Sequence, residues 1–266
     1  MTTVFFLFLV HLAVGLMAML PFVPGRAGVG FFKLCSAAAA TMTTAALGLL
    51  LRRYGWEGSH AAPAGDAYRI LLATCGVFLV ASIVFNRAWH FGWARLRRPL
   101  LALSLMTGVA AVLLATPPAA RALVAATDLT SVLLLGAAAS AMILGHYYLV
   151  VLDLPIAALR RLTVLLISGL FLRALVVALA MAIGDAGAYQ DLRAVAAGLW
   201  SPDGVFVWMR LLFGLAGPLS LLWFIWKTVE IRSTQSATGI LYVQLFLVLS
   251  GELLAKYLRV AAGFAL

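Results

Sequence analysis

The chain has 266 residues, 65% of them hydrophobic and only 11% charged, a balance that would leave a water-soluble domain covered in large apolar patches. Its net charge of +10 raises the question of nucleic acid, but the basic residues fall in short loops between apolar segments. A nucleic-acid function is therefore excluded, and the lipid bilayer is the expected partner.

About 20 mostly apolar residues cross roughly 30 Å of hydrocarbon, and eight such stretches occur, near 3–23, 29–51, 68–88, 98–118, 128–151, 161–184, 204–227 and 236–260. The expected fold is all-α: a polytopic membrane protein of about eight transmembrane helices, one integral domain over 1–266. The first stretch has no basic leader and no small-residue cleavage site, so it reads as a retained helix and not as a removable signal peptide. It carries His11 and ends at Leu20-Pro21. The second and third stretches contain Cys35 and Cys75, two buried small apolar groups that imply no disulfide framework. Between them lies a longer connection, 52–67, with Gly55, Trp56, Gly58, His60, Pro63 and Gly65. The third stretch leads into a basic, aromatic turn from Arg87 to Arg95 that includes Trp89, His90 and Trp93.

The fifth stretch carries His146, Tyr147 and Tyr148 and is followed by Leu154-Pro155 and Arg160-Arg161. Arg173 lies deep in the sixth, and the connection 185–203 ends in Trp200-Ser-Pro-Asp-Gly204. The eighth opens on Ser233–Ile240, whose hydroxyls can cap a helix start, and continues through Glu252, Lys256 and Arg259. Trp89, Trp93, Trp200, Trp208 and Trp226 fall near segment ends, the pattern of an interfacial aromatic belt.

Loop charges set the orientation. Connections after segments one, three, five and seven hold Arg26, Lys33, Arg87, Arg95, Arg97, Arg98, Arg160, Arg161, Lys227 and Arg232 against Asp153 and Glu230. The opposite side collects Glu57, Asp66, Asp128, Asp185, Asp191 and Asp203. By the positive-inside rule the first set is cytoplasmic and both termini lie outside, in the cell's inner membrane.

A weak internal repeat, 1–124 and 125–266, relates His11, Leu20-Pro21 and Lys33 to His146, Leu154-Pro155 and Arg160-Arg161. It predicts two parallel four-helix bundles. At about 1.5 Å per residue each histidine would lie roughly 14 Å from the cytoplasmic end of its helix, near mid-membrane. Two histidines at matched depth suit packing, proton exchange with a quinone, or ligation of a haem b iron. Tyr147 and Tyr148 add phenolic donors beside His146.

Arg173 and Glu252 are the charges deepest in apolar sequence, about 18 and 24 Å from the cytoplasmic ends of their helices. Each costs about 2.5 kcal/mol or more at mid-bilayer unless paired or hydrated, so the two are expected to meet inside the bundle. Lys256 and Arg259 are expected to snorkel at the outer end of the last helix. No nucleotide loop, zinc motif, haem-attachment motif or set of cysteines for an iron–sulfur cluster is present, and no metal site is expected.

The segment Leu247–Tyr257, LVLSGELLAKY, resembles the last helix of the DmsC and NrfD group of membrane anchors, in which Gly-Glu-Leu is followed by a basic and an aromatic residue. The likeness covers about a dozen residues, and the group's usual N-terminal pattern is absent. It implies a membrane subunit that holds quinone or quinol while partner subunits of a redox complex carry the metals. In such a subunit Glu252 or His146 would exchange quinol protons and Arg173 would orient a carbonyl or the carboxylate, with His11, His146 and Tyr147 around the cofactor. A haem-binding cytochrome-type subunit, with iron between His11 and His146, is the second reading, and a transporter or lipid-handling protein is the third.

Overall fold

A computed structural model describes residues 1–55, 65–116, 121–151, 154–183, 200 and 204–262. Within them the regular structure is entirely helical, and eight helices are long and apolar enough to span a membrane. The chain is a polytopic, all-α membrane protein. The helices are α1 (Thr2–Met19), α2 (Val29–Tyr54), α3 (Gly65–His90), α4 (Ala94–Leu114), α5 (Arg121–Val150), α6 (Ala157–Ile183), α7 (Gly204–Glu230) and α8 (Thr234–Ala262). Trp56, Glu57, Gly58, His60, Pro63, Asp153, Asp185, Asp191 and Asp203 lie outside the described residues.

The helix ends follow local chemistry. After α1 the chain makes two short 3₁₀ turns, Leu20–Phe22 and Gly25–Ala27, where Pro21 and Pro24 cannot continue an α-helix. The α3–α4 turn closes with Trp93 N–H donating to Ala88 O (2.9 Å) around Gly92, whose φ of 74° suits a residue without Cβ. The α7–α8 turn repeats this pattern, Ser233 N–H donating to Thr228 O (2.9 Å), but there the left-handed position is Arg232 with φ 58°. Within α7 the residues Leu212–Ala216 form a π-turn. Pro218 explains it, since its ring offers no N–H to the carbonyl of Gly214 and crowds it.

Packing divides the helices into two rings, α1–α2–α3–α4 and α5–α6–α7–α8, each closed by contact between its first and last member. The rings meet along α1, which lies against α5 and also touches α8. At that seam Gly15 and Gly136 bring the two backbones together. A Cβ at Gly136 would collide with the Gly15 backbone, and one at Gly15 with Val132 O and Gly136 N. With no hydrophobic driving force between helices in lipid, such small-residue crossings allow van der Waals contact at close range. His11, one turn before Gly15, is thereby pressed against the part of α5 that contains Asp128 and Ser131.

Cys35 and Cys75 are free thiols buried in α2 and α3. Outward-facing side chains such as Val80, Met106, Phe171, Leu175, Trp223 and Phe246 are large and apolar, as a lipid-facing surface requires.

Candidate functional site

Five helices deliver ionisable side chains to one buried cluster. Glu252, one residue beyond Gly251 on α8, is fully buried and is the shared anion. Its Oε1 accepts from Arg173 Nε of α6 at 2.9 Å and from Arg210 Nη2 of α7 at 3.2 Å. Its Oε2 accepts from Ser131 Oγ of α5 at 2.5 Å and faces Lys256 Nζ at 3.3 Å. The expected meeting of Arg173 with Glu252 is present, as a buried ion pair. Arg173 Nη1 also donates to Thr127 O at 3.1 Å, which ties α6 to α5.

A second anion lies nearer the end of the bundle that carries both termini. Asp128 accepts from Arg259 Nη1 at 2.5 Å and from Thr116 Oγ1 at 3.2 Å, and its Oδ1 stands 3.8 Å from His11 Nε2. The other ring nitrogen of His11, Nδ1, is 3.4 Å from Ser131 Oγ, to which Lys256 Nζ donates at 2.7 Å. Glu252, Ser131 and His11 are thus joined by hydrogen-bond contacts, and Asp128 stands 3.8 Å beyond His11 with no hydrogen bond between the two. Counted from the described ends of their helices at about 1.5 Å per residue, Arg259 lies roughly 5 Å in, Asp128 roughly 10 Å, and Glu252 and Arg173 roughly 15 Å.

Local sequence explains how these charges are accommodated. Lys256 follows Glu252 by four residues, the helical spacing that lets an acid reach a base one turn later. Arg210 occupies a niche made by glycines: a Cβ on Gly214 would strike its guanidinium, and one on Gly251 would strike both the guanidinium and the Gly214 backbone. The π-turn places Gly214 there, so α7 and α8 close around the arginine. Nε and Nη1 of Arg210 and Nε2 of His11 are buried without a hydrogen-bond acceptor. Among the described residues the cluster holds four cations, Arg173, Arg210, Lys256 and Arg259, and two carboxylates, a formal excess of two positive charges.

Several expectations from sequence need correction. Asp128 is not an outer-loop charge: α5 begins at Arg121, seven residues earlier than hydropathy indicates, which carries Asp128 into the bundle. Lys256 does not snorkel but is buried, and Arg259 keeps only 14% of its side chain exposed while it pairs with Asp128. His11 and His146 do not share a depth. His146 lies 15 residues beyond Ser131 on α5, about 22 Å along the helix axis. It is exposed, and its Nδ1 contacts Tyr242 OH at 3.2 Å. The cause is again a helix boundary: α5 stops at Val150 ahead of Pro155, whose ring disfavours helical geometry before it, leaving His146 one turn from the helix end.

Tyr147 is equally remote from the cluster, edge-on to Phe31 with ring centres 5.8 Å apart, while Tyr148 OH donates to Pro155 O at 2.6 Å. These positions do not fit a haem iron held between His11 and His146. Among the described residues no three His, Cys, Asp or Glu side chains converge as metal ligands.

No family model, curated protein or solved structure matches the chain. The site therefore rests on its own geometry. Arg210, Asp128 and Ser131 were not singled out from sequence as site residues. The available signals were the glycine pair 214 and 251 for Arg210, and the helix-forming run from Arg121 for the two residues on α5.

Proposed function

We propose that this chain is the quinone-handling membrane subunit of a respiratory electron-transfer complex in the cytoplasmic membrane, with both termini on the outer side and the redox centres in partner subunits. The observation that carries the proposal is a fully buried carboxylate about 15 Å from the terminal-side end of its helix, hydrogen-bonded through Ser131 to His11, with Asp128 and Arg259 between His11 and the rim. Such a succession is costly in hydrocarbon, and intramembrane ionisable groups of this kind mark proton and substrate pathways. A bound quinone supplies two-electron, two-proton redox chemistry. The chain supplies an excess of positive charge, from Arg173, Arg210, Lys256 and Arg259, to favour electron density near the cluster. Glu252 holds or passes a proton, Ser131 and His11 connect it toward Asp128, and Arg173 fixes the carboxylate.

Native purification followed by mass spectrometry tests the assembly. The expected result is co-purification with subunits bearing iron–sulfur, molybdenum or cytochrome centres, together with extractable quinone. Glu252→Gln should lower quinol-linked turnover at least tenfold per complex, measured on the fraction that retains the full subunit composition. Recovery of the chain alone, monodisperse and with a solute flux of its own, overturns the proposal in favour of a transporter.

A further inference from the structure

At the end of the bundle remote from the termini, the 3₁₀ turn Leu20–Phe22 meets the start of α6, and the two leave a cavity of about 410 Å³. Its lining is Phe22, Ala157, Val164 and Leu165, with Arg160 and Arg161. The volume falls within the roughly 300–1,000 Å³ typical of ligand sites. Phe22 and Val164 are exposed on the outer surface of the bundle, so the cavity opens toward lipid. Both arginines are exposed, and among the described residues neither forms a salt bridge, although Arg160 lies close enough to interact electrostatically with Glu230. Arg160 lies over the Trp226 ring at 5.2 Å, which holds its guanidinium at the rim, and the nearby Glu230 is engaged by Lys227 at 2.8 Å. The first turn of α6 contains no acid.

We propose that this cavity binds an anionic phospholipid, its phosphate held by Arg160 and Arg161 and the upper part of an acyl chain lying against Phe22, Val164 and Leu165. The ligand must be amphiphilic because the lining changes from two guanidinium groups to hydrocarbon within about one helical turn, from Arg161 to Val164 and Leu165. It must be anionic because, among the described residues, Arg160, Arg161 and Lys227 face only Glu230 there, a net of two positive charges at the level where a helix leaves the apolar layer. Basic pockets between transmembrane helices bind such headgroups. The inference is independent of the quinone reading, since the cavity and the buried cluster lie at opposite ends of the helices.

The test uses the full chain in detergent, titrated with phosphatidylglycerol or with zwitterionic phosphatidylcholine and followed by native mass spectrometry. The wild type should retain one phosphatidylglycerol preferentially. Arg160→Gln with Arg161→Gln should reduce that preference roughly twenty-five-fold, the product of about fivefold for each basic side chain near a lipid phosphate. Arg95→Gln with Arg98→Gln, an equal loss of charge at the start of α4, should leave it within about twofold. Val164→Trp keeps both charges but fills the cavity, and should displace the lipid from protein that remains monodisperse. Equal affinity for the two lipids, an equal loss in both double variants, or unchanged retention in Val164→Trp would overturn the site.

Discussion

Replacing Glu252 by Gln distinguishes a shared anion from a simple ion pair. The carboxylate faces three cations within 3.3 Å, Arg173, Arg210 and Lys256, and accepts a hydrogen bond from Ser131. Removing one partner of a buried pair costs about 3–5 kcal/mol because the survivor keeps its desolvation penalty. Here three survivors are left, so the upper end of that range is expected. Arg173→Met is milder: Glu252 keeps Arg210 and Lys256, and the loss is about 1.5–3 kcal/mol, the worth of a hydrogen bond to a charged group. For an isolated pair, the double replacement Arg173→Met with Glu252→Gln would recover most of the loss. In this cluster it should not, because Arg210 and Lys256 remain buried without their anion. Reversible unfolding in mixed detergent micelles, followed by circular dichroism, gives all three values. The reasoning is refuted if Glu252→Gln lies within about 1 kcal/mol of wild type, or if the double variant is more stable than Glu252→Gln by several kcal/mol.

Gly136→Val drives a branched side chain into the Gly15 backbone and should cost about 3 kcal/mol, the upper end for overpacking, whereas Gly48→Ala, with open space at its Cβ, should be neutral or stabilising by up to about 1 kcal/mol. The same unfolding measurement compares them, and equal effects would mean that the α1–α5 seam is looser than the geometry indicates. Arg232→Gly should raise stability by about 1 kcal/mol by relieving a left-handed backbone at φ 58°, an outcome reversed if the arginine makes a compensating contact at the membrane surface.

The fold was largely legible because its signal is hydropathy, which needs no knowledge of neighbours. Each of the eight expected spans overlaps one observed helix, and Arg173 with Glu252 emerged because two charges in long apolar runs have few tolerable partners. Helix boundaries were much less legible. A window of average hydropathy places the start of α5 at the first unbroken apolar run, yet Arg121–Thr127 is good helix-forming sequence that continues the same helix outward. A shift of seven residues is about 10 Å along the axis, enough to turn Asp128 from a loop residue into a buried one.

The same sensitivity to boundaries accounts for the histidines. Matching His11 to His146 assumed that each proline marks the end of its helix, and α1 meets that assumption because Pro21 stands in the turn that ends it. In α5 the helix ends at Val150, five residues before Pro155, and the apparent equivalence dissolves. What decides the depth of His11 is instead the Gly15–Gly136 crossing, a contact between segments 121 positions apart that no local pattern reveals. Arg210 shows the complementary limit. Its burial depends on the absence of side chains at Gly214 and Gly251 and on a π-turn imposed by Pro218, three features on two helices that acquire meaning only once α7 and α8 are packed together. A charge with no room in the sequence of its own helix can thus be accommodated by space left on a neighbour, so the buried cations of such a protein are underestimated when each span is read alone.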